Sequence, residues 1–90
     1  MSSAERTAEI VNQRGLHARA AAKFATLAGT FEANITVSKG GQTVSGRSIM
    51  GLMMLAAGIG SEVTLTAEGP DAGAALDAIC QLIAERFQED

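Results

Sequence analysis

A β-hairpin signal lies near the middle of this 90-residue chain. Residues from Ala33 to Ser38 alternate strictly between apolar and polar, which is typical of a half-buried strand. The pair Gly40-Gly41 then supplies a tight turn into a further strand at Gln42 to Ser45. The hairpin requires a fold that contains a sheet with at least one pair of antiparallel strands.

Two segments on either side of the hairpin have the spacing of helices. Small and apolar residues recur at helical intervals from His17 to about Gly29, which predicts a helix that begins at or just after His17. A short second helix is predicted from Ser48 to about Leu55, because this stretch has few β-branched residues and Ser48 is a good N-cap. The glycine-containing stretch at 58–60 is expected to end it.

Two more strands and a final helix complete the pattern. Residues alternate clearly over Glu62 to Ala67 and loosely over Glu5 to Asn12, which predicts a strand in each segment. Asp71 follows Pro70 and is the expected cap of the last helix. The apolar face of that helix consists of Leu76, Ile79, Cys80, Ile83 and Phe87.

The element order is therefore strand, helix, strand, strand, helix, strand, helix, which predicts an α+β domain. We expect a mostly antiparallel four-stranded sheet with three helices on one face and water on the other. A chain of this length buries roughly two-thirds of its unfolded surface, which suits one core. Residues 1–90 are accordingly expected to form a single domain.

Composition excludes several classes of protein. A net charge of −3 argues against binding to nucleic acid, since such binders usually present a basic face. The longest apolar stretch, Leu52 to Ala57, is too short to span a bilayer, and no segment resembles a targeting signal. We therefore expect a cytoplasmic protein in which the lone Cys80 is a buried free thiol.

The segment Gly15-Leu16-His17-Ala18-Arg19 is the strongest candidate for chemistry. It sets the only histidine at a helix start, where free backbone N–H groups and the helix dipole favour an anion bound to the ring. Arg19 adds a fixed positive charge with forked donors. A neutral imidazole is also a competent nucleophile toward phosphorus, and phosphoryl transfer needs mainly alignment and charge stabilisation.

Spacing alone favours a more ordinary role for this histidine. A single histidine before a helix is more often a polar surface residue or a cap. A metal site is not expected, because zinc needs about four ligands, His17 has no second histidine beside it, and Cys80 is remote in sequence. The chain also lacks a glycine-rich phosphate loop and the local signature of an activated serine.

Two segments in register resemble the HPr family, the histidine-containing phosphocarriers of the bacterial phosphotransferase system. Gly15-Leu16-His17-Ala18-Arg19 is similar to the active-site motif of that family. The stretch from Gly46 to Met53 is similar to its regulatory-serine segment, at about the separation seen in the family. The resemblance extends from about Thr7 to Phe87, and the element order fits the family's open-faced β-sandwich.

The resemblance implies that His17 is phosphorylated on Nδ1 by a phosphoenolpyruvate-dependent enzyme I and passes the group to an EIIA-type protein. The chain would then be a phosphoryl carrier rather than a stand-alone enzyme, with no cofactor. Arg19 would steady the phosphoryl group beside the backbone of Ala18, Arg19 and Ala20. The family commonly has proline where this chain has Ala20, but a helix start tolerates both residues.

The resemblance assigns Ser48 a second role beside that of N-cap. It implies regulatory phosphorylation by an HPr kinase/phosphorylase, which would place about two negative charges at a helix start. The apolar residues that follow cannot all face inward from so short a helix. We expect Leu52 and Leu55 in the core, and a docking pad beside His17 made of Ile49, Met50 and Met53. The alternative is that all of them pack under a loop.

Two other classes of function compete with a phosphocarrier. A ferredoxin-like RNA-binding module has the same element types, but it needs aromatic residues on its central strands, and Phe24, Phe31 and Phe87 all lie outside the predicted strands. An allosteric protein-binding regulator that carries no phosphate is the other alternative. Within the phosphocarrier class, sugar transport and a nitrogen-type regulatory branch both stay open, and a monomer is expected.

Overall fold

The computed structural model describes residues 2–89. Its elements follow the order βαββαβα, as predicted, and a short turn follows the last helix. They are β1 (Ser3–Glu9), α1 (Ala18–Ala28), β2 (Asn34–Lys39), β3 (Gln42–Ser45), α2 (Ile49–Met54), β4 (Glu62–Glu68), α3 (Ala72–Ala84) and the turn at Arg86–Gln88.

The four strands form one antiparallel sheet in the order β1-β4-β2-β3. Val37 of β2 pairs with Leu65 of β4 on one side and with Val44 of β3 on the other. Alternate residues of the central strands are buried beneath the helices, whereas the opposite face is polar. The predicted open-faced β-sandwich is confirmed. Its uncovered face includes Glu5, Thr7, Glu9, Thr36, Glu62, Thr64, Thr66 and Glu68.

The core lies between the sheet and the three helices. Its largest fully buried side chains include Phe24 of α1, Leu76 and Ile79 of α3, and Phe87 of the final turn. The prediction that Cys80 is a buried thiol is wrong, because it lies at the margin of the core and is only half-buried. Partial burial raises the pKa of its thiol.

Two predicted boundaries differ from the structure. β1 occupies Ser3–Glu9 rather than Glu5 to Asn12, since after Glu9 the chain turns inward and buries Asn12. Helix α2 ends at Met54, before the stretch at 58–60 that was expected to end it. Ala56 adopts a positive φ of 52°, so an alanine makes the left-handed turn that glycine usually makes after a helix.

Asp71 lies at the predicted start of α3 but does not cap that helix with its side chain. Its carboxylate instead accepts the backbone N–H groups of Glu32 at 2.9 Å and Ala33 at 2.8 Å. The hydrogen bond from Glu32 is the largest cause that lowers the pKa of Asp71. The carboxylate therefore ties the loop before β2 to the beginning of α3.

Candidate active site

His17 is the N-cap residue of α1. Its backbone is extended (φ −73°, ψ 177°), and its carbonyl accepts the N–H of Ala21 at 2.8 Å. The N–H groups of Ala18, Arg19 and Ala20 belong to the first turn, where a helix offers no acceptor. The predicted helix start is confirmed. The His17 side chain is only 18% exposed, so most of the ring is shielded and a small part reaches solvent beside these donors.

The loop before His17 is held in place by close backbone packing. Gly15 has a φ of +64°, and a Cβ atom there would lie 2.3 Å from the carbonyl oxygen of Ala57. The next residue, Leu16, donates its N–H to the same oxygen at 2.9 Å. Only glycine satisfies both the positive φ and the close approach. The segment after α2 thus positions the residue that precedes the histidine.

A carboxylate from the end of the chain contacts the imidazole. The Nε2 atom of His17 is hydrogen-bonded to Oε1 of Glu89, and the same oxygen accepts Nδ2 of Asn12 at 3.0 Å. The hydrogen bond with His17 is the largest cause that lowers the pKa of Glu89, and Asn12 and Arg14 act in the same direction. Nδ1 makes no hydrogen bond within residues 2–89, so it is the ring nitrogen left open for chemistry.

Asn12 is fully buried and links this loop to the end of the chain. Its Nδ2 donates to the carbonyl of Gly15 at 2.8 Å as well as to Glu89. Its Oδ1 has no hydrogen-bond partner in the described part of the chain. The two donated bonds hold the Glu89 carboxylate at a fixed position relative to the His17 loop.

Positive charges surround the imidazole. It opens into a cavity of about 260 Å³ that is lined by Arg14, His17, Arg19, Lys23, Gln88 and Glu89. Arg19 makes no side-chain hydrogen bond or ion pair across residues 2–89, whereas Lys23 donates to the carbonyl of Phe87 at 2.7 Å. Three cationic side chains and the helix N-terminus suit an anion such as a phosphoryl group.

The three residues predicted to bind phosphate lie in the first turn of α1. Ala18 and Arg19 are exposed, and Ala20 is buried in the core. Alanine in place of the motif proline therefore supplies a methyl group to the core and an additional N–H to the first turn. The structure brings His17 and Arg19 to one cavity.

Ser48 and an apolar surface form a second region of interest. Oγ of Ser48 accepts the N–H of Gly51 at 2.9 Å, which confirms the predicted N-cap. Leu52 and Leu55 are buried, as expected. The exposed fractions are 43% for Ile49, 72% for Met50, 40% for Met53 and 67% for Met54. These four residues, here called the α2 patch, do not pack under a loop.

The helix that carries the α2 patch is adjacent to the helix that begins after His17. Helices α1 and α2 pack against each other. A second cavity beside the imidazole, of about 210 Å³, is lined in part by Arg14, His17 and the residues at 56–58 that follow α2. The docking pad beside His17 stays a prediction; its three residues are exposed, as is Met54, which was not predicted to belong to it.

Comparison with known proteins decides the family. A family model described as the PTS HPr component phosphorylation site matches residues 4–85. The chain belongs to the HPr family. It is therefore a phosphocarrier protein of the phosphotransferase system.

HPr-family relatives match almost the full chain. The phosphocarrier protein HPr of Cupriavidus necator is 54% identical over 85 residues, which cover 94% of this chain and 96% of that protein. The phosphocarrier protein NPr of Shewanella violacea is 49% identical over 89 residues, with 99% and 98% covered. This chain is thus similar to HPr and NPr proteins alike.

Solved HPr structures have the same architecture. HPr-C-His from Thermoanaerobacter tengcongensis has a TM-score of 0.92 and 44% identity, and the match covers 97% of this chain and 98% of that one. A structure of an HPr dimer from the same organism has a TM-score of 0.77 and 44% identity, with 90% and 93% covered. The fold of this chain is that of HPr.

Three residues of this HPr site were not predicted from the sequence. Glu89 lies 72 residues from His17, and local spacing cannot reveal such a contact. Lys23 is one of the two cationic residues of α1. Asn12 had a weak signal, because asparagine three residues before glycine is typical of a turn held by the side chain. Within residues 2–89, the structure has no cluster of three or more potential metal ligands and no helix suited to crossing a membrane.

Proposed function

We propose that His17 is the residue of this phosphocarrier that takes up the phosphoryl group, on Nδ1, from phospho-enzyme I, and that it passes the group to an EIIA-type protein. One observation carries the proposal. The imidazole lies at the N-terminus of α1 with Nε2 bound to Glu89 and Nδ1 free of hydrogen bonds in the described chain. The free nitrogen is thus the one that the family resemblance implies.

The first turn of α1 supplies what the transferred group needs. Charge spreads over the three equatorial phosphoryl oxygens in the transition state, so fixed donors and cations lower the barrier. We assign this role to the N–H groups of Ala18, Arg19 and Ala20 and to the guanidinium of Arg19. The lack of any competing ion pair for Arg19 among residues 2–89 supports the assignment.

The test uses purified protein, phosphoenolpyruvate, magnesium and enzyme I. We expect an acid-labile phosphoryl adduct on the wild-type chain and none on His17→Ala. Arg19→Ala should accept the group more slowly, while Arg6→Ala serves as the control, because it removes an equal charge from a side chain that pairs with Asp77 and does not line the His17 cavity. An adduct that persists in His17→Ala would refute the assignment.

We further propose that Ser48 is a regulatory phosphorylation site and that the α2 patch is the docking surface for enzyme I and EIIA-type proteins. A phosphate on Oγ would replace the acceptor of the Gly51 N–H and bring about two negative charges to the edge of the patch. The helix N-terminus favours those charges, so we expect altered docking without refolding.

The variant Ser48→Asp tests the Ser48 assignment. It should keep the fold and accept phosphate from enzyme I more slowly than wild type. Ser3→Asp introduces the same charge on β1, on the polar side of the sheet, and is the matched control. Equal rates for Ser48→Asp and wild type would exclude the inhibitory form of this regulation.

We also propose a domain assignment, a cellular location and an oligomeric state for the chain. We assign residues 1–90 to a single HPr domain that acts in the cytoplasm as a monomer, in contrast to the dimer in one related structure. Light scattering during gel filtration distinguishes a 9.2 kDa monomer from a dimer. The similarity to both HPr and NPr keeps the sugar-transport and nitrogen-type branches open, and comparison of transfer rates to an EIIA of each branch would separate them.

A further inference from the structure

The contact between Glu89 and His17 points to a role for a residue that no motif singles out. We propose that Glu89 is a positioning residue for His17, whose carboxylate accepts the Nε2 proton and thereby keeps the lone pair of the neutral imidazole on Nδ1. The inference rests on the proposed function, because it explains why Nδ1 rather than Nε2 attacks phosphorus.

The argument begins with the chemistry of the two partners. A neutral imidazole carries one proton, so one ring nitrogen donates and the other holds a lone pair. An ionised carboxylate can only accept a hydrogen bond. Contact of Oε1 of Glu89 with Nε2 of His17 therefore selects the tautomer with the proton on Nε2. The lowered pKa of Glu89 keeps that carboxylate ionised at neutral pH.

The surroundings strengthen this selection. The side chains of His17 and Glu89 are only 18% and 17% exposed, and a hydrogen bond shielded from water is electrostatically stronger. The buried amide of Asn12 donates to Oε1 of Glu89 and to the carbonyl of Gly15, so it holds the carboxylate against the histidine loop. Glu89 consequently has a fixed partner on each side.

The backbone before Glu89 is bent into an unusual conformation that delivers the carboxylate to the imidazole. Arg86, Phe87 and Gln88 have φ angles of +58°, +54° and +61°, a left-handed region that non-glycine residues rarely adopt. Such strain persists only where other contacts impose it. Here Phe87 is fully buried, and its carbonyl accepts Nζ of Lys23 at 2.7 Å. The turn reverses the chain from α3 toward the start of α1.

The same contact serves both directions of transfer. When the Nδ1 lone pair forms the P–N bond, the bond between phosphorus and the donor breaks and its electron pair leaves with the donor. The ring, now substituted on Nδ1 and protonated on Nε2, carries a positive charge that the Glu89 carboxylate balances. When the acceptor takes the phosphoryl group, the P–N electron pair returns to Nδ1, and the starting tautomer is restored.

The first arm of the test is spectroscopic and needs no partner protein. Long-range ¹H–¹⁵N correlation spectra of the ¹⁵N-labelled chain, at a pH where the ring is neutral, report which nitrogen carries the proton. We expect the Nε2–H form in wild type. In Glu89→Gln the amide can accept a hydrogen bond from Nε2–H or donate one to an unprotonated Nε2. We therefore expect the ratio of the Nε2–H tautomer to the Nδ1–H tautomer to fall about tenfold, as loss of a charge-assisted hydrogen bond implies.

The second arm measures phosphoryl transfer from enzyme I. We expect Glu89→Gln to accept the group about tenfold more slowly, because a neutral amide no longer balances the positive charge that develops on the ring. Glu85→Gln is the matched control, since Glu85 lies on the exposed end of the chain, contacts Gln81 at 2.8 Å and does not line the His17 cavity. The unfolding midpoints of both variants show whether the fold is kept.

The outcomes separate this inference from the proposed function. If wild type is phosphorylated while Glu89→Gln keeps the wild-type tautomer ratio and transfer rate, the positioning role is refuted. A changed ratio and a slower rate in Glu89→Gln alone support it. If wild type itself accepts no phosphoryl group, the proposed function fails, and the tautomer ratio still decides whether Glu89 fixes the ring proton.

Discussion

Replacement of Gly15 by alanine should distort the loop that presents His17. Two costs add at this position. A non-glycine residue at a φ of +64° costs about 1–2 kcal/mol, and forcing a methyl group into packed structure costs about 1–3 kcal/mol. The new Cβ would lie 2.3 Å from the oxygen of Ala57 and 2.8 Å from Cα of Gly58, and both neighbours are backbone. We expect Gly15→Ala to lower the free energy of unfolding by about 2–5 kcal/mol.

Gly40→Ala is the matched control for this experiment. Gly40 has a similar φ of +56°, but a Cβ there would meet no atom within 4 Å. It should therefore lose only the conformational contribution, about 1–2 kcal/mol. Urea unfolding followed by circular dichroism measures both variants, and equal slopes would show that the same surface unfolds. If Gly15→Ala were no more destabilising than Gly40→Ala, the close approach of Gly15 to Ala57 would not constrain the loop.

Three further predictions concern Phe87, the carboxylates of Glu89 and Asp71, and the α2 patch. Phe87→Ala should reduce the free energy of unfolding by about 3–5 kcal/mol, because a fully buried phenyl ring is lost. It should also weaken the hydrogen bond between His17 Nε2–H and Glu89, which would shift the Nε2–H resonance. Gln88→Ala, which changes the exposed next residue, is the control for thermal unfolding. The folded state lowers the pKa of both Glu89 and Asp71. Their contribution to stability should therefore be fully present above pH ~4.5 and decline as the pH falls through the lowered pKa values. Asp71→Asn should accordingly flatten the acid side of a plot of unfolding midpoint against pH. Met50→Ser should change the unfolding free energy by less than about 0.5 kcal/mol, since the side chain is 72% exposed. It should nevertheless slow phosphoryl transfer from enzyme I or to EIIA-type proteins, and unchanged transfer would remove Met50 from the docking surface.

Local signals in the sequence predicted most of the fold. The glycine pair at 40–41 predicted the hairpin between β2 and β3, and Ser48 predicted the start of α2, because a turn and an N-cap each depend on a few neighbouring residues. The start of α1 at His17 followed from helical spacing for the same reason. Features set by neighbours in sequence can be predicted from sequence alone.

Contacts between distant segments could not be predicted in this way. Asp71 occupies a cap position, but its carboxylate binds the N–H groups of Glu32 and Ala33 because folding brings that loop against α3. Phe87 continues the helical spacing of α3, yet the chain leaves the helix at Glu85 and buries the ring through a left-handed turn. The contact of Glu89 with His17 depends on that turn and so has no local signature.

The uncovered side of the sheet makes the charge distribution of the molecule asymmetric. Glu5, Glu9, Glu62 and Glu68 lie on that side, whereas the cations beside His17 surround the start of α1 on the helical layer. An acidic partner that approaches the glutamates is repelled, and one that approaches the histidine is attracted, so collisions are biased before any contact forms. Encounter rates with such a partner should therefore fall as added salt shortens the range of these fields.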